Sequence, residues 1–87
     1  MKYEQLCNTI IEGVGGKSNV KDVSHCITRL RFTLKDESKA DTEGLKAVKG
    51  VIDVIQAGGQ YQVVVGPQVA GIYDELCQIG GFSVTAQ

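Results

Sequence analysis

The spacing of apolar residues divides the chain into segments of two kinds. In residues 3–14, 41–49 and 66–79, apolar residues recur at steps of three and four, the pattern of a helix with one buried face. Each of these segments is followed by glycine, which is typical of the position where a helix ends. The pattern therefore predicts three helices, each with a single apolar stripe.

The remaining apolar residues tend toward alternation, which is the pattern of strands. Residues 19–24, 27–34, 51–57 and 61–65 are predicted to be strands, and the uneven spacing in the first of them suggests a bulge. Short turns join the strands within each pair, so we expect antiparallel pairing. The order helix, strand, strand, helix, strand, strand, helix predicts an α+β fold. It is a single α/β sandwich with a four-stranded, mostly antiparallel sheet and three helices on one face.

Composition and charge narrow the possible functions. The 87 residues are enough for one domain, and the net charge of −1 gives no overall basic field for nucleic acid or an anionic membrane. No apolar run approaches the roughly 20 residues of a membrane helix, and the first residues do not resemble a signal peptide. We therefore expect a cytoplasmic domain that neither binds nucleic acid directly nor inserts into a membrane.

The cysteines and the single histidine argue against a metal site. Cys7 and Cys77 lie on or next to helical apolar stripes and are predicted to be core residues. Three cysteines without a Cys-x-x-Cys pair do not make a zinc site or a disulfide framework. His25 and Cys26 are neighbours, and neighbours on a strand point to opposite faces. We expect neither a metal nor a cofactor.

The segment from Cys26 to Phe32 carries the candidate chemistry. Alternation places Arg29 and Arg31 on one face of the strand and the apolar residues on the other. A thiol beside two cations can hold a negative charge or a phosphoryl group, and Thr28 can donate a hydrogen bond to it. The same residues also fit a buried strand cysteine with two solvated arginines, so the pattern alone leaves both interpretations open.

Cysteine phosphatases use related chemistry with a different spacing. Their Cys-x5-Arg loop wraps the phosphate ahead of a helix, whereas here the spacings are Cys-x2-Arg and Cys-x4-Arg on a strand. Asp22 is the nearest candidate for a general acid, and it precedes Cys26 by only four residues. The phosphatase interpretation therefore fits poorly.

The cysteine segment resembles a known signature. The run Cys26-Ile27-Thr28-Arg29-Leu30-Arg31-Phe32 and the residues before it from Asn19 are similar to the phosphorylation site of enzyme IIB domains. These are domains of the bacterial phosphoenolpyruvate-dependent sugar phosphotransferase system, and the likeness is to its glucose/sucrose/β-glucoside subgroup. Residues 42–46, 50–55 and 58–66 extend the resemblance over most of the chain, and His25 and Ile27 favour the β-glucoside branch.

The resemblance implies a phosphotransferase that works through phosphocysteine. Cys26 would take a phosphoryl group from the phosphohistidine of a IIA domain and pass it to a sugar held by a membrane-embedded IIC domain. Arg29 and Arg31 would stabilise the phosphate. Residues 1–80 would form the IIB domain, and residues 81–87 a tail or linker to a missing membrane domain. The full permease would place this domain at the cytoplasmic face of the inner membrane.

Supporting roles and other functions remain open at this stage. Asp22 is a candidate for orienting Arg29 or His25, or equally for capping a turn. His25 is a candidate proton shuttle, or an exposed side chain without a role. A non-catalytic binding module with an inert Cys26 is one alternative function, and a regulatory module of the same fold is another. The sugar is not encoded in this segment.

Overall fold

The computed structural model describes residues 2–82, and its elements follow the predicted order. The helices are α1 (Glu4–Gly13), α2 (Thr42–Lys46) and α3 (Val69–Gly80), and the strands are β1 (Val20–His25), β2 (Arg29–Leu34), β3 (Asp53–Ala57) and β4 (Gln60–Val64). Two short 3₁₀ turns, Lys17–Asn19 and Glu37–Lys39, lie in the connections. Most of the predicted tail, residues 83–87, lies outside the described residues.

The sheet has the order β1-β2-β4-β3, and all three pairings within it are antiparallel. The predicted bulge is present in β1, where the register with β2 shifts between Val20 and Asp22. The Gly58-Gly59 turn joins β3 to β4, and both glycines have positive φ, as a tight hairpin requires. The prediction of a four-stranded antiparallel sheet is therefore confirmed.

Alternation along the strands decides which face of the sheet is buried. In β2, Leu30, Phe32 and Leu34 are buried while the residues between them are only half-buried. The buried residues of β2, β3 and β4 join the apolar stripes of the helices in one cluster. The three helices thus cover one face, and Arg29 and Arg31 lie on the other, as the alternation predicts.

Several predicted boundaries are wrong by two or three residues. The strand expected from residue 27 begins at Arg29, because the residues before it form a turn. The helix expected through Lys49 ends at Lys46, and turns closed by the N–H groups of Val48 and Val51 follow it. The strand expected from residue 51 begins at Asp53, and the helix expected from residue 66 begins at Val69. In each case a local turn replaces the end of a regular element.

A buried asparagine ties the connection after α1 to the end of β2. Asn19 is 3 % exposed, and its Nδ2 donates to the carbonyls of Val14 and Asp36 at 2.8 and 2.9 Å. Its Oδ1 accepts from the N–H of Asp36 at 3.0 Å. Every polar atom of this side chain is therefore used, and removing it would leave buried main-chain groups unpaired.

We predict that Asn19→Ala lowers the free energy of unfolding by about 2 kcal/mol, because buried main-chain groups lose their partners. Asn8→Ala is the matched control, since Asn8 is exposed and its side chain bonds the Glu4 carbonyl one turn back in α1. The control should change the free energy by less than about 0.5 kcal/mol. Urea unfolding followed by circular dichroism measures both, and equal losses would contradict the role given to Asn19.

Candidate functional site

Cys26 lies in the turn between β1 and β2. Its N–H donates to the carbonyl of Arg29 at 3.0 Å, which closes the turn. The carbonyl of Thr28 accepts from the N–H groups of both Val65 and Gly66, each at 2.9 Å. The turn is therefore held at both of its ends, once by the hairpin itself and once by the segment that follows β4.

Gly66 is the residue that permits this attachment. Its φ of +89° lies in the region that glycine adopts most easily. A Cβ at this position would also lie 3.3 Å from Cδ1 of Ile52. A side chain here would strain the backbone and displace a neighbour, so glycine is needed where the chain leaves β4 and bonds the Cys26 turn.

The turn creates a favourable environment for a negative sulfur. The pKa of the Cys26 thiol is lowered from 9.0 to about 7. The largest cause is a hydrogen bond from the backbone N–H of Thr28, followed by the backbone N–H of Arg29 and the side chain of Arg31. Partial burial opposes this shift without cancelling it. Successive N–H groups that converge on one atom form an anion-binding concavity. The same groups are suited to phosphate oxygens.

The other two cysteines have the opposite character, as predicted. Cys7 is fully buried and its Sγ lies 3.4 Å from the carbonyl oxygen of Ile72. Burial, with a smaller effect of the Glu75 carboxylate, raises the pKa of the Cys7 thiol to about 11. Burial also raises the pKa of the buried Cys77 thiol. Of the three thiols, Cys26 alone is both accessible and readily ionised.

Arg29 and Arg31 are held by two glutamines of the neighbouring strand. Nη1 of Arg29 donates to Oε1 of Gln62 at 2.6 Å, and Nη1 of Arg31 donates to Oε1 of Gln60 at 3.0 Å. Nε2 of Gln62 also donates to Oε1 of Gln60 at 3.3 Å. The sequence pattern singles out the arginines and not the glutamines, although Gln60-x-Gln62 alternates on β4 as Arg29-x-Arg31 does on β2.

His25 is half-buried, and its contacts are with the main chain of the turn and with α3. Its Nδ1 lies 2.9 Å from the carbonyl oxygen of Cys26. Its ring lies 4.6 Å from the ring of Tyr73 on α3, with a tilt of 49° between the two planes. His25 pairs with Leu30 and so shares the helix-covered face. The geometry gives it a structural contact with the turn, and its role as a proton shuttle stays a prediction.

Thr28 is part of the Cys26 turn, whereas Asp22 lies away from it on β1. Thr28 takes part through its main chain. Its N–H favours the negative Cys26 sulfur, and its carbonyl accepts hydrogen bonds from the segment after β4. Asp22 is exposed and pairs with Thr33, on the face opposite to His25. It lies four residues from Cys26, about 13 Å along a strand. The structure therefore brings Thr28 to the sulfur and does not bring Asp22 to His25 or Arg29.

Two large apolar side chains stand exposed near the turn. Ile27, next to Cys26, is 85 % exposed, and Ile52 is 69 % exposed. Ile52 lies beside Gly66, which bonds the Thr28 carbonyl. The Gly58-Gly59 turn lies instead at the opposite end of β4, away from Cys26. The accessible sulfur therefore has an apolar rim on the side of Gly66, which we call the isoleucine rim (Ile27 and Ile52).

Metal and membrane chemistry find no support in the part of the chain described. Among residues 2–82, no three His, Cys, Asp or Glu side chains are grouped so that they could hold a metal ion. None of the helices in this range has the length and hydropathy needed to cross a membrane.

We predict that alkylation of native Cys26 by iodoacetamide follows a pH midpoint near 7. At that pH about half of the Cys26 thiol would be ionised, against about 1 % of a thiol with the ordinary pKa of 9.0. Arg31→Met should raise the midpoint, because its hydrogen bond and its charge both favour the thiolate. Labelling is measured by mass spectrometry of peptides over a pH series.

Cys26→Ser serves as the control for this measurement. The native variant should resist labelling until it is unfolded, because Cys7 and Cys77 are buried. A midpoint close to 9 for the native chain, or fast labelling of the variant, would contradict the environment assigned to Cys26.

Comparison with known proteins places this geometry in a family. The family model described as "phosphotransferase system, EIIB" matches residues 8–41, which include the Cys26 turn. The β-glucoside-specific EIIBCA component of Halalkalibacterium halodurans is 56 % identical over 87 residues, covering 100 % of this chain and 14 % of that protein. The corresponding component of Dickeya chrysanthemi is 48 % identical over 83 residues, covering 95 % of this chain and 13 % of that protein.

A solved structure shares the fold. One domain of a phosphotransferase-system IIabc component from Clostridium difficile superimposes with a TM-score of 0.88 at 29 % sequence identity. The match covers 99 % of this chain and 90 % of that one. The chain spans about one seventh of the length of the curated relatives named above. Sequence and structure together show that this chain belongs to the EIIB family of the phosphotransferase system, in the branch that includes the β-glucoside-specific components.

Proposed function

We propose that this domain carries a phosphoryl group on Cys26 between a protein donor and a sugar. The observation that carries the proposal is the Cys26 turn, where main-chain N–H groups and Arg31 favour a negative sulfur that remains reachable. Family membership supports the same conclusion. The binding module with an inert Cys26 has no comparable support, since an inert role gives no reason for a lowered thiol pKa.

The first step is transfer from a phosphohistidine to the sulfur. The Cys26 thiolate attacks the phosphorus, a sulfur–phosphorus bond forms, and the nitrogen–phosphorus bond breaks. The imidazole leaves with the electron pair and takes a proton from solvent. The N–H groups of Thr28 and Arg29 and the side chain of Arg31, which favour a negative sulfur, would also stabilise negative charge on the phosphate oxygens, and Arg29 is the second cation proposed for this role.

The second step returns the sulfur to its starting state. A sugar hydroxyl attacks the phosphorus, the sulfur–phosphorus bond breaks, and the thiolate leaves with the electron pair while the hydroxyl proton passes to a base. A sulfur of lower pKa leaves faster but attacks more weakly, so a pKa near the ambient pH suits a group that must do both. The pKa of about 7 at Cys26 meets this requirement.

The partners follow from the family and from access to the sulfur. We propose a IIA domain as donor and a membrane-embedded IIC domain with its bound sugar as acceptor, since the relatives carry the names EIIBCA and EIIBC. A β-glucoside is the proposed sugar class, and the cytoplasmic face of the membrane is the proposed location. Donor and acceptor must reach the same atom, and the isoleucine rim offers them an apolar contact beside it.

We predict that the domain gains the mass of one phosphoryl group when it is incubated with phosphoenolpyruvate and the upstream phosphotransfer proteins, including a phosphorylated IIA domain. Intact-mass spectrometry at neutral pH measures the gain. Cys26→Ser should gain nothing, because a serine hydroxyl is not ionised at this pH and is a poorer nucleophile than a thiolate.

Cys7→Ser and Cys77→Ser are the matched controls for this experiment. Both thiols are buried in the core, where a phosphoryl donor does not reach them, so both variants should accept the phosphoryl group as the unaltered domain does. Failure of the unaltered domain to gain mass, or an equal gain by Cys26→Ser, would refute the proposed function.

A further inference from the structure

Gln62 occupies an unusual place for a polar side chain. It lies on the sheet face that no helix covers, yet it is only 7 % exposed. Its cover must come from side chains on the same face, and Arg29 and Gln60, which both form hydrogen bonds with it, are among them. Burying an amide in this way is favourable only if its polar atoms are bonded. Its oxygen and its nitrogen each have a partner here.

The chemistry of the partners fixes the direction of these bonds. A guanidinium donates and never accepts, so the amide oxygens of Gln62 and Gln60 must face Arg29 and Arg31. Nε2 of Gln62 is then left to donate to Gln60, as observed. Each arginine reaches past the residue opposite to it on β4 and bonds the glutamine two positions further along. The two arginines are thus joined through one short chain of amides.

The important property of these partners is that they are neutral. Arginines on a protein surface are commonly paired with carboxylates, and such a pair offsets much of the positive charge. Within residues 2–82, both guanidiniums donate to amide oxygens, and neither has a carboxylate partner. An amide oxygen can fix the direction of a guanidinium while leaving its full charge for another anion.

We infer that Gln60 and Gln62 are positioning residues that hold Arg31 and Arg29 by neutral acceptors and so keep both positive charges available to the anion at Cys26. This inference rests on the proposed function for the identity of that anion as a phosphoryl group. It also applies to the thiolate itself, since the side chain of Arg31 helps to lower the pKa of the Cys26 thiol. The glutamines act through the arginines and need not touch the phosphoryl group.

The test uses two substitutions at each position that separate charge from hydrogen bonding. Gln60→Glu and Gln62→Glu keep an acceptor of the same length and add a negative charge. Gln60→Met and Gln62→Met keep a similar volume and remove the acceptor. Gln5→Glu is the matched control, since Gln5 is exposed on α1 in the helical layer and its substitution adds the same charge away from the arginines.

The first readout is the pH midpoint of Cys26 alkylation, which needs no phosphoryl donor. Gln60→Glu should raise the midpoint by about one pH unit, because a carboxylate paired with Arg31 removes part of the charge that favours the thiolate. Gln60→Met should raise it less, and Gln5→Glu should leave it unchanged.

The second readout is the rate of phosphoryl acceptance from the IIA donor. Both glutamate variants should be slower than the unaltered domain by about tenfold or more, since a charge that stabilises transfer has been offset. The methionine variants should lose less. Urea unfolding checks that the glutamate variants are at least as stable as the methionine variants, as a new ion pair predicts.

A purely structural role for the glutamines predicts the opposite order. Glutamate would then be tolerated, because it preserves the hydrogen bond, and methionine would be the harmful change. That order in the alkylation midpoints, or in the transfer rates, would overturn the inference. If the unaltered domain takes up no phosphoryl group, the proposed function fails, and the order of the alkylation midpoints at Gln60 alone then decides this inference. If Gln62→Met does not fold, the half-buried Gln60 still supplies the comparison.

Discussion

The attachment of the Thr28 carbonyl to the N–H groups of Val65 and Gly66 is the constraint on which the site depends. It fixes the last residue of a short turn to the segment that follows β4, with two bonds of 2.9 Å. A free hairpin turn would sample many arrangements, and its N–H groups would point at the sulfur only part of the time. Because the turn is held, the N–H groups of Thr28 and Arg29 converge on Cys26 without further ordering when charge develops.

The sheet supplies the two arginines of the site, which lie on β2 directly after the Cys26 turn. Successive side chains of β2 point to opposite faces of the sheet. Because Leu30 and Phe32 are buried under the helices, Arg29 and Arg31 lie on the uncovered face. The core therefore determines where the cations are, and β4 determines how they are held. The resulting site is shallow, with fixed donors around an accessible atom. Such a site suits a group that has to be received from one protein and given to another, whereas a closed pocket would exclude one of the two partners.

How much the sequence predicts depends on the kind of interaction involved. The order of strands and helices is predictable because each element is amphipathic, and the spacing of its apolar residues along the sequence shows whether it is a helix or a strand. Arg29 and Arg31 could be assigned to one face for the same reason. The glutamines could not be recognised, because their importance lies in a cross-strand pairing between β2 and β4 that depends on register. The start of β2 is hard to place from the sequence for a similar reason. Ile27 and Thr28 are good strand residues, but the turn closed by the Cys26 N–H on the Arg29 carbonyl and the distant bonds of Thr28 keep them out of the strand.

The sulfur of Cys26, as the proposed carrier of the phosphoryl group, has a close rival in the ring of its neighbour His25. Phosphorus NMR of the intact phosphorylated domain separates the two most directly, since a phosphorus bonded to sulfur and a phosphorus bonded to nitrogen resonate in different regions. A phosphoryl group on Cys26 predicts one resonance of the sulfur-bonded kind, which is absent in Cys26→Ser and retained when His25 is replaced by glutamine. A resonance of the nitrogen-bonded kind that disappears with His25→Gln would contradict it.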